Sequence, residues 1–125
     1  HDFFDANSDS KDPAYSSKLG VYSENCGLDN VDLSWGHDEY LYHVTKDYLP
    51  DEALYMIRYH SFYPCHKEKD YGYLMSERDR ELFEWVQKFN PYDLYSKDDE
   101  PPKVDELRPY YEDLIAEYFP AKIRW

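Results

Sequence analysis

Four stretches of this chain repeat apolar side chains at three- and four-residue intervals, and no segment shows the β-branched alternation of a strand. A chain patterned in this way buries its apolar surface by packing helices, and the expected fold class is all-α. The spacing predicts a first helix from about Trp35 to Asp47, with Leu41, Val44 and Tyr48 as its stripe, ended before Pro50. Pro50-Asp51-Glu52 then makes a good first turn, because proline there needs no N–H and acids favour the positive helix end. The second helix runs through LPDEALYMIRYHSFYP to a stop at Pro64, and its Ala53, Met56, Ile57 and His60 share one face. His60 is therefore expected to point inward.

Ser76 and Asp79 resemble a capping box with Asp in place of Glu, so a third helix, SERDRELFEWVQKF, should follow with Leu82, Phe83, Val86 and Phe89 buried. Asn90-Pro91 is expected to interrupt it, with Tyr92–Lys97 as a short continuation and an acidic loop after that. The last helix, VDELRPYYEDLIAEYF, repeats the design through Leu107, Tyr111, Leu114, Ile115 and Tyr118, with Pro109 in its first turns. Residues 1–32 lack periodicity and read as a turn-rich connector whose aromatic side chains pack on something. The 125 residues thus make one domain, a connector followed by a helical part from 33 to 125 with about four main helices. The chain opens on His1 in a polar segment, and is expected to be a piece of something longer.

A formal charge of −13 repels phosphate backbones and anionic lipids, so nucleic acid and membrane surfaces are not expected partners. No run has the length of a membrane span, and the first residues lack the basic head and apolar stretch of a signal peptide. Cys26 and Cys65 stand in no metal or redox spacing. A reducing, cytoplasmic setting is the simplest expectation.

The chain has no glycine-rich phosphate loop, no nucleophile elbow and no His-Glu-x-x-His. Its chemistry must come from histidines and an aspartate carried on helices: His37, His43, His60, His66 and Asp93. Imidazole and carboxylate on rigid helices suit iron or manganese. Each also has a plainer reading. His37 after Trp-Gly can be a helix-start residue, and His60 a core histidine satisfied by a backbone carbonyl. His43 and His66 each follow one of these by six residues, off the same helix face, and read as structural or surface groups.

Taken together, SWGHDEYLY, LPDEALYMIRYHSFYP, WVQKFNPYDLYSK and LRPYYEDLIAEYFP resemble the C-terminal half of the myo-inositol oxygenase family, and the similarity runs from about Asp12 to Trp125. The resemblance implies a helical bundle of the His-Asp (HD) domain type with two iron ions, a mixed-valent Fe(II)/Fe(III) pair, that cleaves the ring of myo-inositol with O2 to give D-glucuronate. It implies His37 and His60 as ligands of one iron and Asp93 as a ligand of the other. It also implies that Ser61 and Lys97 contact the substrate, and that the intact protein is a monomer. A hydroxyl can hydrogen-bond a polyol, and an ammonium can hold an oxygen that becomes negative on metal. The plainer readings are a helix-end serine bonded back to a carbonyl and an exposed loop lysine.

The family's other ligands, one histidine and an adjacent His-Asp doublet, lie upstream of anything present here. His37-Asp38 is not that doublet: Asp38 is expected to be a first-turn acid that favours the helix end or orients a neighbour. With three of six ligands, the chain alone should bind iron weakly and is expected to be inactive. The missing N-terminal half of the same domain should also leave apolar helix faces uncovered. Two other readings remain open at this point. A metal-dependent phosphohydrolase of the His-Asp superfamily is disfavoured by the negative charge and the lack of an arginine clamp, and a non-catalytic acidic helical interaction module needs no metal at all.

Overall fold

A computed structural model describes residues 5–94 and 102–125, and among them the regular structure is helical, with no strand. The helices are α1 (His37–Thr45), α2 (Asp51–Tyr59), α3 (Tyr63–His66), α4 (Glu77–Leu94) and α5 (Val104–Tyr118), preceded by two short 3-10 turns at Ser8–Lys11 and Leu28–Asn30. Helix α2 lies between α1 and α4 and packs on both, while α3 touches α4. Among the described residues no helix is long and apolar enough to cross a membrane.

The closed core is mostly aromatic and draws on the connector as well as the helices. Tyr55, Tyr59, Phe83 and Val86 bury against Leu28, Cys65, Leu74 and Met75. The rings of Tyr55 and Tyr59 stand 5.0 Å apart and those of Tyr59 and Phe83 5.4 Å, tilted as aromatic quadrupoles prefer. Both cysteines are free, and burial, with Asp79 and Asp70 nearby, pushes the Cys65 thiol up to about 11.

Asp79 ties the connector to this core. Ser76 and Asp79 form the reciprocal capping box at the start of α4: Ser76 N–H donates to Asp79 Oδ2 at 2.7 Å and Asp79 N–H to Ser76 Oγ at 3.2 Å. The same carboxylate accepts from the Ser76 hydroxyl at 2.7 Å, from Leu28 N–H at 3.0 Å and from the Tyr55 hydroxyl at 2.5 Å. Burial alone would push the Asp79 carboxyl up, but these four donors outweigh it and hold the group below its ordinary value. The approach needs a glycine, since Gly27 adopts φ +88° beside Asp79 and donates its N–H to the Leu74 carbonyl at 2.8 Å.

Three helix limits differ from those the sequence predicts. α1 starts at His37, because Gly36 is extended and Trp35 stays 71% exposed outside the helix. α2 ends at Tyr59 and Pro64 falls in the first turn of α3, where a residue without an N–H fits; its ring would have clashed in a continued α2. α4 runs through Asn90-Pro91 to Leu94 rather than breaking there. One missing N–H near the end of a long helix costs one hydrogen bond, to Gln87, whose residue is exposed to water.

The inward face of α2 is also different. Leu54, Tyr55, Arg58 and Tyr59 are its buried residues, whereas Ala53, Met56, Ile57 and His60 are half-buried on an open side. Arg58 can be buried because its guanidinium forks onto Glu39, with Nε to Oε2 at 2.7 Å and a second bond to Oε1 at 2.8 Å. It also donates to Asp29 at 2.8 Å and lies 4.2 Å from the centre of the Tyr42 ring. In α5 no residue is buried: Leu107, Tyr111, Ile115 and Tyr118 are exposed and Leu114 half-buried. Just beyond α5, Phe119 packs on Tyr48 with ring centres 5.5 Å apart.

Candidate metal centre

The open side of α2 forms one wall of a groove of about 390 Å³. His37, Asp38 and Leu41 of α1 face it across from Met56, Ile57 and His60, with Phe89 and Asp93 of α4 along its length. Each polar member is placed by a helix end. His37 is the first residue of α1, His60 caps the C-terminus of α2, and Asp93 sits in the last turn of α4.

The two imidazoles converge. His37 Nε2 and His60 Nε2 are 3.1 Å apart, with ring planes inclined at 70°. His60 Nδ1 lies 2.8 Å from the Ile57 carbonyl, which can only accept, so that nitrogen carries the hydrogen and Nε2 of the neutral ring presents a lone pair to the groove. His60 Nδ1 is thus satisfied by a backbone carbonyl, and its Nε2 accepts from His37 Nε2–H, a bond that a shared ion would replace. Two nitrogens on one metal ion, each about 2.1 Å away and roughly at right angles, are about 3 Å apart, so the pair fits a shared ion as adjacent ligands. Among the described residues, no three His, Cys, Asp or Glu side chains gather into a metal site. The chain supplies a two-imidazole corner.

The other histidines do different work. His66 is buried and its Nε2–H donates to the His60 carbonyl at 2.9 Å, so it braces the backbone that carries His60. His43 bonds Glu39 at 3.1 Å and stacks on Trp35, away from the groove.

The family model for myo-inositol oxygenase matches residues 1–125. The chain belongs to the myo-inositol oxygenase family. It is 51% identical to the inositol oxygenase of Dictyostelium discoideum over the whole chain, which covers 44% of that protein. Identity is 53% to that of Pongo abelii and 50% to that of Danio rerio, each over 98% of this chain and 44% and 45% of those proteins. The chain therefore spans less than half the length of these curated relatives.

Of the residues that the family resemblance implies, the structure brings His37 and His60 together. Asp93 lines the same groove and lies 3.5 Å from the Tyr63 hydroxyl. Lys97 lies outside the described residues. Ser61 follows His60 but lines a neighbouring cavity of about 490 Å³ beneath the connector, and Asp38 lines both. The Ser61 hydroxyl donates to Asp38 Oδ2, while Oδ1 accepts from Glu39 N–H at 2.9 Å. Burial pushes the Asp38 carboxyl up, but the bonds from Ser61 and the Glu39 amide prevail and hold it below its ordinary value. Asp38 thus serves its helix end and orients a neighbour at once.

Sequence reasoning missed Gly36. A Cβ there would stand 2.7 Å from Asp38 Oδ1, so glycine makes room for the carboxylate. It also missed the bracing role of His66, which has no sequence signal because a carbonyl six residues away becomes a partner only when the chain turns between α2 and α3.

Proposed function

We propose that the protein to which this chain belongs is a non-haem di-iron oxygenase that cleaves the ring of myo-inositol with O2 to give D-glucuronate. Family membership and about 50% identity to inositol oxygenases support the reading. The observation that carries it into chemistry is the pair of imidazole nitrogens 3.1 Å apart.

His37 and His60 would hold one iron, and Asp93 would serve the other from the same groove. Ser61 and Lys97 would contact the inositol hydroxyls. The remaining ligands would come from residues outside these 125, which is why the described chain offers a corner and not a closed coordination sphere. Bound iron, as a mixed-valent Fe(II)/Fe(III) pair, supplies Lewis acidity toward inositol oxygens and a place for O2. The chain's own part is geometric. The Ile57 carbonyl sets the His60 tautomer, His66 holds the end of α2, and Leu41, Met56 and Phe89 wall the groove with apolar surface that limits water. In this reading the intact protein is a cytoplasmic monomer, and the 125 residues alone are inactive.

The test uses the full-length protein loaded with iron. Oxygen uptake that depends on myo-inositol and yields D-glucuronate is expected. Release of phosphate from phosphate esters without such uptake would replace the reading with the phosphohydrolase. Unchanged iron content and oxygen uptake in His37→Ala and His60→Ala would remove these histidines from the iron site, and neither oxygen uptake nor phosphate release in the wild type would leave only a non-catalytic module.

A further inference from the structure

Among the described residues, Asp38 is the one that lines both the histidine groove and the cavity under the connector. Its position is built from three sides. The Glu39 amide holds Oδ1 at 2.9 Å, the Ser61 hydroxyl holds Oδ2, and the missing side chain of Gly36 leaves the space that Oδ1 occupies. A serine hydroxyl has one hydrogen and two lone pairs. Here the hydrogen is committed to a carboxylate, an acceptor with no hydrogen of its own, so Ser61 Oγ has only lone pairs left to offer.

We propose that Asp38 is a positioning residue for Ser61, fixing its hydroxyl as a pure acceptor that reads a donated O–H of the polyol substrate. The inference rests on the reading above, in which Ser61 contacts myo-inositol. It makes this corner of the site selective for a hydroxyl that can donate, and it gives Asp38 a role that acts through Ser61 and not through the metal.

The isosteric variant Asp38→Asn separates this from a purely structural role. Asparagine has one acceptor oxygen and one NH2, so it cannot keep both bonds. Its oxygen stays on the fixed Glu39 amide and its NH2 donates to Ser61 Oγ, which reverses the serine bond. In the full-length iron-loaded protein, anaerobic calorimetry with myo-inositol should show about tenfold weaker binding, with KM following it and iron content unchanged. Ser61→Ala should lose a similar factor, and Asp38→Asn added to Ser61→Ala should cost nothing more. Gly36→Ala, which crowds Asp38 Oδ1 without changing its chemistry, should give a smaller loss that also vanishes in the Ser61→Ala background.

Unchanged inositol affinity in Asp38→Asn, or losses that add in the double variant, would overturn the proposal, as would failure of both Asp38→Asn and Gly36→Ala to fold where Ser61→Ala folds. Wild-type protein that neither binds nor oxidises myo-inositol would instead remove the reading on which it rests.

Discussion

The two sides of α2 are built from the same helix and end in opposite states. On one side Tyr55, Arg58 and Tyr59 are buried, their polar atoms directed to Asp79 and Glu39 or held within the aromatic cluster. On the other, Ala53, Met56, Ile57 and His60 carry the more apolar stripe and yet face an open groove. The comparison teaches that burial here follows the availability of partners and not hydropathy alone. Tyr55 and Arg58 go inside because ring or stem adds apolar contact and each polar end finds a carboxylate. Tyr59 goes inside on ring contact alone, its hydroxyl having no partner among the described residues, while the histidine side stays open along the groove.

The largest effect that would break this contrast is on the open side. In the full-length protein, His60→Ala should reduce turnover at least about 100-fold and lower iron content measured by elemental analysis, with little change in the unfolding midpoint. On the closed side the order reverses. Arg58→Leu leaves Glu39 buried without its cation and should cost about 3–5 kcal/mol in denaturant unfolding, with Phe83→Ala in the same range from the cavity it leaves. If Arg58→Leu were neutral, the account of why this face is buried would fail.

Asp79 provides a smaller effect with a defined pH sign. Its folded pKa is depressed, so the stability it contributes is present above the ordinary aspartate value of 3.8 and is lost as pH falls through the folded value. Asp79→Asn should therefore lower stability by about 1–3 kcal/mol at neutral pH, and the gap from wild type should close as thermal melts are repeated at progressively lower pH below 3.8. A gap that stayed constant with pH would show that the carboxylate charge is not what the four donors stabilise. The smallest effect belongs to Arg78, half exposed and paired with Asp51 at 2.6 Å. Arg78→Ala should change stability by less than about 1 kcal/mol, and less again in high salt.

Much of the helical order was legible because it depends on near neighbours. Three- and four-residue spacing, prolines and the Ser76–Asp79 box are local signals, and they placed four of the helices to within a few residues. Pro91 misled because a proline's cost depends on where in the finished helix it falls, and Pro64 because the same ring that ends one helix opens the next. The α2 face was misassigned for a longer-range reason. Its pattern ranked Met56 and Ile57 above Tyr55 and Arg58, and nothing nearby in sequence tells that Glu39 and Asp79 will arrive as partners.

The candidate site divides in the same way. His37, His60 and Asp93 stood out as residue types on helices, and the family motifs named them together with Ser61 and Lys97. Their convergence was not legible, since His37 and His60 are separated by a helix, a turn and another helix. The exposed apolar stripe of α5 illustrates the boundary. Its period follows from Leu107, Tyr111, Ile115 and Tyr118 alone, but whether that stripe is covered depends on what packs against it.

By itself, then, the order of residues determined an all-α chain, the approximate course of four of its helices and the chemical types available to a site, because these follow from backbone sterics and side-chain period. Only the tertiary structure decided which face of α2 closes, that two imidazole nitrogens meet, and that Asp38 takes the Ser61 hydrogen. Those outcomes depend on distances between groups far apart in the chain, and such distances are set by how the helices pack.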